Sequence, residues 1–324
     1  MKKIILAVTL AVAWVGFAGA AAAQWAPTHK VKLAVPFPAG GGTDLLARVI
    51  AKALSEKWQQ PVYVENLSGA ASGNVGALEI ARSEPDGYSL LLSPPGPIAM
   101  NQLLYKHMPF DSSKWVPISV VASVPYVLDV RNGLGVSTIK ELIAKAKENP
   151  GKITYASPGV GTVGHLAAKE LEMLAGISLT TVPYSGLAPA LMDVAGGHVD
   201  MIFDTLTTSL PLQQGKQLSI IAVASPQRAQ SLPDVPTVAE SGLPGFRAVT
   251  WYGIVAPPGT PADVAAKISN DVVAVVHSPE VVDAIRNKLK MDPMGISNAE
   301  AAAMFVDDAK LWSDVIKKAN ISLD

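Results

Sequence analysis

Short aliphatic and β-branched runs alternate along this chain with stretches whose apolar positions return every three or four residues, the pattern of an α/β protein. Residues 32–36 read as a strand ending on a glycine-rich loop. Residues 44–58 read as a helix, with Leu46, Ile50, Leu54 and Trp58 on one face at i, i+4 spacing. A strand at 62–65, a helix at 74–83 and a strand at 88–92, entered through the Asp86-Gly87 turn, complete a first unit. A second run begins near Pro125. It holds strands at 126–130, 153–156, 179–182, 199–203 and 218–224, and helices at 138–148, 165–175 and 188–195. Thr138 and Glu141 form a capping box on the first of these helices, and Asn149-Pro150-Gly151 stops it. The Pro- and Gly-rich stretch 231–245 reads as a connection between domains. A strand at 251–256 and three capped helices follow. Thr260-Pro261 and Ser278-Pro279 each place a hydroxyl at the N-cap with Pro next, and Ser297 with Glu300 forms another capping box. These patterns predict largely parallel sheets in two lobes, 24–125 plus 247–324 and 126–246, with a cleft at the strand C-terminal ends.

The first residues bear on compartment. Lys2 and Lys3 precede an uncharged apolar run, 4–20, and Ala21-Ala22-Ala23 gives the small-x-small pattern before Gln24. This reads as a secretory signal peptide, 1–23, cut after Ala23, which exports the mature chain. The run is shorter than the roughly 20 residues of a spanning helix, and no cysteine stands near the junction for a lipid anchor. The whole chain carries 26 Lys and Arg against 27 Asp and Glu, with no basic stripe to hold nucleic acid. It has no Cys, so neither disulfides nor thiolate metal sites nor cysteine nucleophiles arise. No cofactor is expected.

Three segments share one design: a strand, then small residues, then a helix start. They are residues 36–44, 66–74 and 157–165. Glycines allow close approach of backbone amides, and a helix N-terminus offers unpaired N–H groups with a partial positive charge. Such a site holds an anion without Lys or Arg. A hydrogen bond to a charged group contributes about 1.5–3 kcal/mol, and a micromolar complex needs roughly 8 kcal/mol. A few such bonds, with burial of an apolar ligand body, therefore suffice.

Other chemistries fit less well. Gly159, Gly161 and Gly164 have the spacing of a dinucleotide fingerprint, but the confirming acid about 20 residues on is missing: after Glu172 the next is Asp193. Ser157, His165 and Asp204 can be drawn as a hydrolytic triad, yet Tyr155 stands where a nucleophile elbow needs Gly. His198, Asp200 and Asp204 look like metal ligands only superficially, since apolar neighbours separate them. No metal site is expected.

At these loops the chain resembles the Bug-type extracytoplasmic solute receptors of the tripartite tricarboxylate transporter family. The resemblance is carried by residues 35–44 (VPFPAGGGTD) with Ala47-Arg48, by Asn66 with Gly69-Ala70, Gly73 and Gly76, by Ser157 to Leu166, and by Val182-Pro-Tyr-Ser-Gly186 with Asp193 and Asp200 to Asp204. Trp251 with Gly253 and Ala256 to Pro261 completes it. The resemblance implies a type II-like, two-lobed Venus-flytrap binding protein, acting as a monomer. It would deliver a dicarboxylate, aromatic carboxylate or amino acid to the membrane subunits of such a transporter. By position it implies ligand contacts from Phe37, Thr43 and Asp44 in the first loop, Ser68, Gly69 and Ala71 in the second, Ser157 and Thr162 in the third, and Asp204 from the far wall. Gly42, Gly161, His165 and Tyr184 complete the expected set. Ala39, where a second Pro is usual, and the stiff Ser93-Pro94-Pro95-Gly96 depart from the pattern and bear on which ligand fits. A receptor reporting to a two-component sensor and a secreted hydrolase using Ser157 and His165 remain alternatives.

Overall fold

Strand and helix alternate along the chain much as the periodicity dictates. The computed structural model describes residues 25–69 and 72–318, so the leader, its cleavage site and Ala71 lie outside the described residues. The first lobe opens with β1 (Val31–Val35), α1 (Gly42–Trp58), β2 (Val62–Asn66), α2 (Asn74–Ala81) and β3 (Ser89–Ser93). A wide turn, Gly96–Met100, leads into α3 (Asn101–Leu104) and then into β4 (Val116–Arg131). The second lobe follows with α4 (Ile139–Glu148), β5 (Thr154–Ser157), α5 (Val163–Ala175), β6 (Thr180–Pro183), α6 (Leu187–Ala195), β7 (Met201–Thr205), α7 (Leu206–Gln214) and β8 (Leu218–Val223). The chain returns through β9 (Val249–Ala256) and ends with α8 (Ala262–Val276), α9 (Pro279–Asp283), β10 (Asp292–Pro293) and α10 (Asn298–Lys318).

The strands run in the order β2-β1-β3-β9-β4-β7-β5-β6, with β8 and β10 also on β4. The expectation of largely parallel sheets holds only on the flanks. There β1 pairs in parallel with β2 and β3, and β5 with β6 and β7. Around the middle the pairing is antiparallel, because β4 leaves the first lobe and β9 re-enters it. β4 is the joint. Val116 to Pro125 pair with β9, and Tyr126 to Val130 pair with β7.

The periodicity located only the second half of β4. Pro117 and Pro125 bracket the first half, and proline argues against a central strand. Register shifts at Ile118, between Pro117 and Ser119, and at Val121, between Val120 and Ala122, absorb the mismatch. The helix α7 was also hidden, because Thr207, Thr208 and Ser209 prefer local hydrogen bonds to helix. Here those hydroxyls are satisfied by Leu289 O, Asp204 and Asp129 respectively.

Apolar burial runs continuously through the joint: Leu33, Leu92 and Ile254 of the first lobe share a cluster with Ile202, Leu206 and Leu218 of the second. A second cluster fills the far lobe around Phe203, Leu166 and Leu142. Trp312 and Ile316 of α10 belong to this far-lobe cluster, while Ala301 and Phe305 pack in the first lobe. The last helix is thus a third tie between lobes, beyond β4 and β9.

The capping signals divide. Ser297 and Glu300 make the reciprocal bonds of a capping box. Thr138 accepts the Glu141 amide, while the Glu141 carboxylate reaches one residue further back to Ser137. Thr260 is not an N-cap: its hydroxyl donates to Pro257 O, and Pro261 takes the cap position. Ser278 sits at the cap of α9 but donates to Val275 O instead of capping. Among the described residues no helix is long and apolar enough to cross a membrane.

Candidate functional site

A cavity of about 610 Å³, counting its open mouth, lies where the two lobes meet. Three helix N-termini reach it. Gly41, Gly42 and Thr43 bring the start of α1, Thr162 and Val163 the start of α5, and Gly186 with Leu187 and Ala188 the start of α6. The first-turn amides of a helix lack carbonyl partners within it. Each N-terminus carries a partial charge of roughly +0.5. The lining residues include no charged side chain. Main-chain dipoles and the hydroxyls of Thr43, Ser72, Tyr126 and Thr162 are thus the polar groups this place offers an anion, among apolar walls.

The first loop is held by a network behind the cavity. Asp44, 3% exposed, accepts from Gly40 N–H at 3.0 Å and pairs with Arg48 at 2.9 Å. Burial disfavours its charge, but the Arg48 and Gly40 bonds outweigh this and hold its carboxyl below the usual carboxylate range. Arg48 also reaches Asn66 Oδ1, and Asn66 Nδ2 donates to Phe37 O at 3.1 Å. The first and second sequence blocks thus meet through side chains that fix the backbone. Asp44 shapes the anion seat and does not face the cavity. Arg48→Ala is expected to leave this buried carboxylate half-paired, costing roughly 1–3 kcal/mol. The readout is a lower melting temperature with weakened ligand binding, and an unchanged melting curve would refute the role.

The third loop is built the same way. Thr162 caps α5, accepting from His165 N–H and donating to Gly159 O at 2.8 Å. His165 Nδ1 accepts from Gly161 N–H at 3.2 Å. Burial, aided by Lys169, pushes its pKa down to about 4, so the ring is neutral at pH 7. His165 therefore holds Gly161 in place. Ser157, at the end of β5, is 1% exposed and lies against the Tyr155 hydroxyl. No hydrogen bond joins Ser157, His165 and Asp204, and the imidazole acceptor is already used, so they do not form a hydrolytic triad. Asp200 is taken up by Arg131 and Thr154.

Of the residues expected at the site, Phe37, Gly42, Thr43 and Thr162 line the cavity together. Gly161, His165 and Asp44 stand behind it as supports. Ser68 is exposed and outside the lining, and Gly69 packs against Val75. Tyr184 donates to Asp193 at 2.5 Å, which with burial raises its pKa to about 12. Asp204 is fully buried and turned away. On β7 its neighbour Thr205 shares a face with Tyr126, which lines the cavity, so strand alternation points Asp204 towards α7.

Several lining residues were not singled out from the sequence. The second loop contributes Ser72, whose hydroxyl donates to Val160 O across the cleft at 2.6 Å. The third helix start is that of α6, not of α2. The glycine of Val182-Pro-Tyr-Ser-Gly186 was the available signal. Pro94, Pro95 and Gly96 form the wall that the sequence marked as stiff.

Two α/β lobes joined by crossing strands, with helix N-termini converging on the cleft between them, define a two-lobed solute-binding protein. The chain belongs to the tripartite tricarboxylate transporter family receptors (TctC), matched over residues 46–321. It is similar to the R. palustris protein Rpa4515 solved with adipate, at 35% identity and TM-score 0.88, over 91% of this chain and 99% of that one. It is similar to the periplasmic binding protein BugD, at 34% identity and TM-score 0.86, over 91% and 99% of the two chains. MatC from Rhodopseudomonas palustris, with bound malate, matches at 28% identity and TM-score 0.84, over 90% and 99%.

Proposed function

We propose that this chain is a periplasmic receptor that captures a small carboxylate between its lobes and presents it to the membrane subunits of a tripartite tricarboxylate-type transporter. The observation that carries this reading is the convergence of three helix N-termini on one cavity whose lining has no charged side chain. Relatives solved with adipate and malate support it. In this reading the leader 1–23 is removed after Ala23, and lobes 24–125 plus 247–324 and 126–246 close as a monomer, without cofactor. Phe37, Gly42, Thr43 and Thr162, with the start of α6, touch the ligand, while Asp44, Gly161, His165 and Asp204 maintain the shape around it.

Calorimetry with a binding dicarboxylate and its diamide or diester tests the anchor. Each charge-assisted hydrogen bond contributes about 1.5–3 kcal/mol, and about 1.4 kcal/mol is tenfold in affinity. The neutral analogue is expected to bind at least ~100-fold more weakly. Equal affinities would overturn the reading, as would consumption of the ligand on incubation.

A further inference from the structure

Resting on the reading of a receptor that closes around its ligand, we infer that the segment from Gly96 to Leu104 is a latch. Leu104 of the first lobe, seated on Gly161 of the second, holds the cleft shut and sets how slowly the ligand leaves, without touching it. The segment belongs to the first lobe, lying between β3 and β4. Ile98 packs there with Leu91 and Trp251, and the Trp115 indole N–H donates to Pro97 O at 3.1 Å. Asn101 is buried and donates through Nδ2 to Asn74 Oδ1 at 2.6 Å and to Ser72 O at 3.3 Å, which fastens the second loop to the same body. Met100 and Leu104, one helical turn apart, share a different face. Both belong to the cluster that fills the second lobe around Leu166 and Phe203, and Leu104 is 2% exposed.

The seat is shaped for this contact. A side-chain carbon on Gly161 would overlap Leu104 Cδ1, so the leucine methyl occupies the space that any other residue would fill. The φ of 82° there also favours glycine. Gly161 is held from behind by His165, whose Nδ1 accepts its N–H. One residue earlier, Ser72 Oγ donates to Val160 O at 2.6 Å. The first lobe thus grips residues 160 and 161 by one polar and one apolar contact, just ahead of the α5 start that lines the cavity. Neither Met100 nor Leu104 is among the residues lining the cavity. Opening the cleft would part Leu104 from Gly161 and return its side chain to water, at a cost set by the apolar area exposed. Release requires opening, whereas entry starts from the open form, so this cost slows departure and leaves capture alone.

The test compares Leu104→Ala, Leu104→Val and Leu104→Met with the wild type. Adipate, succinate and malate are the probes, with binding and release followed by stopped-flow tryptophan fluorescence and melting by circular dichroism. Loss of three carbons should speed release roughly 10–100-fold and loss of one ~4-fold, with association rates unchanged. Leu104→Met, which keeps the volume, should release the ligand at close to the wild-type rate. Should the Ala variant not fold, the Val and Met variants carry the comparison. A lower melting temperature with release unchanged would show that Leu104 only packs beneath α10, whose Trp312 and Ile316 share its cluster. That result would overturn the latch and leave the receptor reading standing. Slower association with unchanged release would also overturn it, because Leu104 would then be shaping the empty site. Failure of every acid to bind the wild-type protein would overturn both.

Discussion

Gly186→Val is expected to prop the lobes apart and weaken carboxylate binding by at least ~100-fold. A side-chain carbon on Gly186 would meet Pro38 Cδ at 3.1 Å and Phe37 Cδ1 at 3.7 Å, both in the opposite lobe. The wedge therefore acts on closure, where α6 comes down on the first loop. An open cleft separates the α1 start from those of α5 and α6, so the ligand loses about half its charged hydrogen bonds. Two such bonds, at about 1.5–3 kcal/mol each, account for the expected factor. The φ of 156° at Gly186 adds backbone strain of roughly 1–3 kcal/mol to any side chain there. Binding is accordingly measured on protein shown to be folded by circular dichroism. Small-angle scattering at saturating ligand should give the variant a larger radius of gyration than the wild type. Wild-type affinity with a wild-type scattering profile would show that closure at Gly186 does not matter.

The second large effect concerns a buried acid pair. Asp129 and Asp204 lie on one face of adjoining strands, and Ser209 Oγ stands between them, 2.5 Å from Asp129 and 3.4 Å from Asp204. Burial raises the Asp204 pKa to about 6, against partial relief from Thr208. Burial, and then the charge of Asp204, drive that of Asp129 well above the usual carboxylate range. A carboxyl whose pKa is higher folded than unfolded binds more protons in the native state between the two values. Its stabilising contribution is complete below the unfolded pKa, near 4, and fades as pH rises through about 6. At pH 8 the buried Asp204 charge costs on the order of 3 kcal/mol.

Asp204→Asn removes this cost. Its melting temperature should exceed that of the wild type at pH 8, match it or fall below it near pH 4, and lose most of the slope between. Affinity for a dicarboxylate at pH 7 should stay level or rise, because a negative charge behind the cavity is gone. A variant less stable than the wild type at pH 8 would show that the carboxylate is stabilised by contacts stronger than its burial penalty.

What the sequence alone determined is local. The i, i+4 face of Leu46, Ile50 and Leu54 specified α1, the helical pattern of residues 165–175 marked α5, and Ser297 with Glu300 specified the start of α10. Each signal is complete within a few residues, because helix periodicity and capping are interactions between near neighbours. Glycine-rich helix starts after strands likewise marked α1 and α5 as anion seats before any fold was known. The tertiary structure decided which seats meet. Strand order brought α6 to the cavity in place of α2, and the long β4 spans both lobes despite two prolines because β9 and β7 pair with its two halves. It also decided where each polar side chain points. Asp44 and His165 sit in the right loops but are spent on Gly40, Arg48 and Gly161, and Asp204 faces α7 because strand alternation gives the cavity side to Thr205. Residue type states what a group can bond. Only packing over long sequence separations states which partner reaches it first, since burial forces each polar group to take the nearest satisfying one.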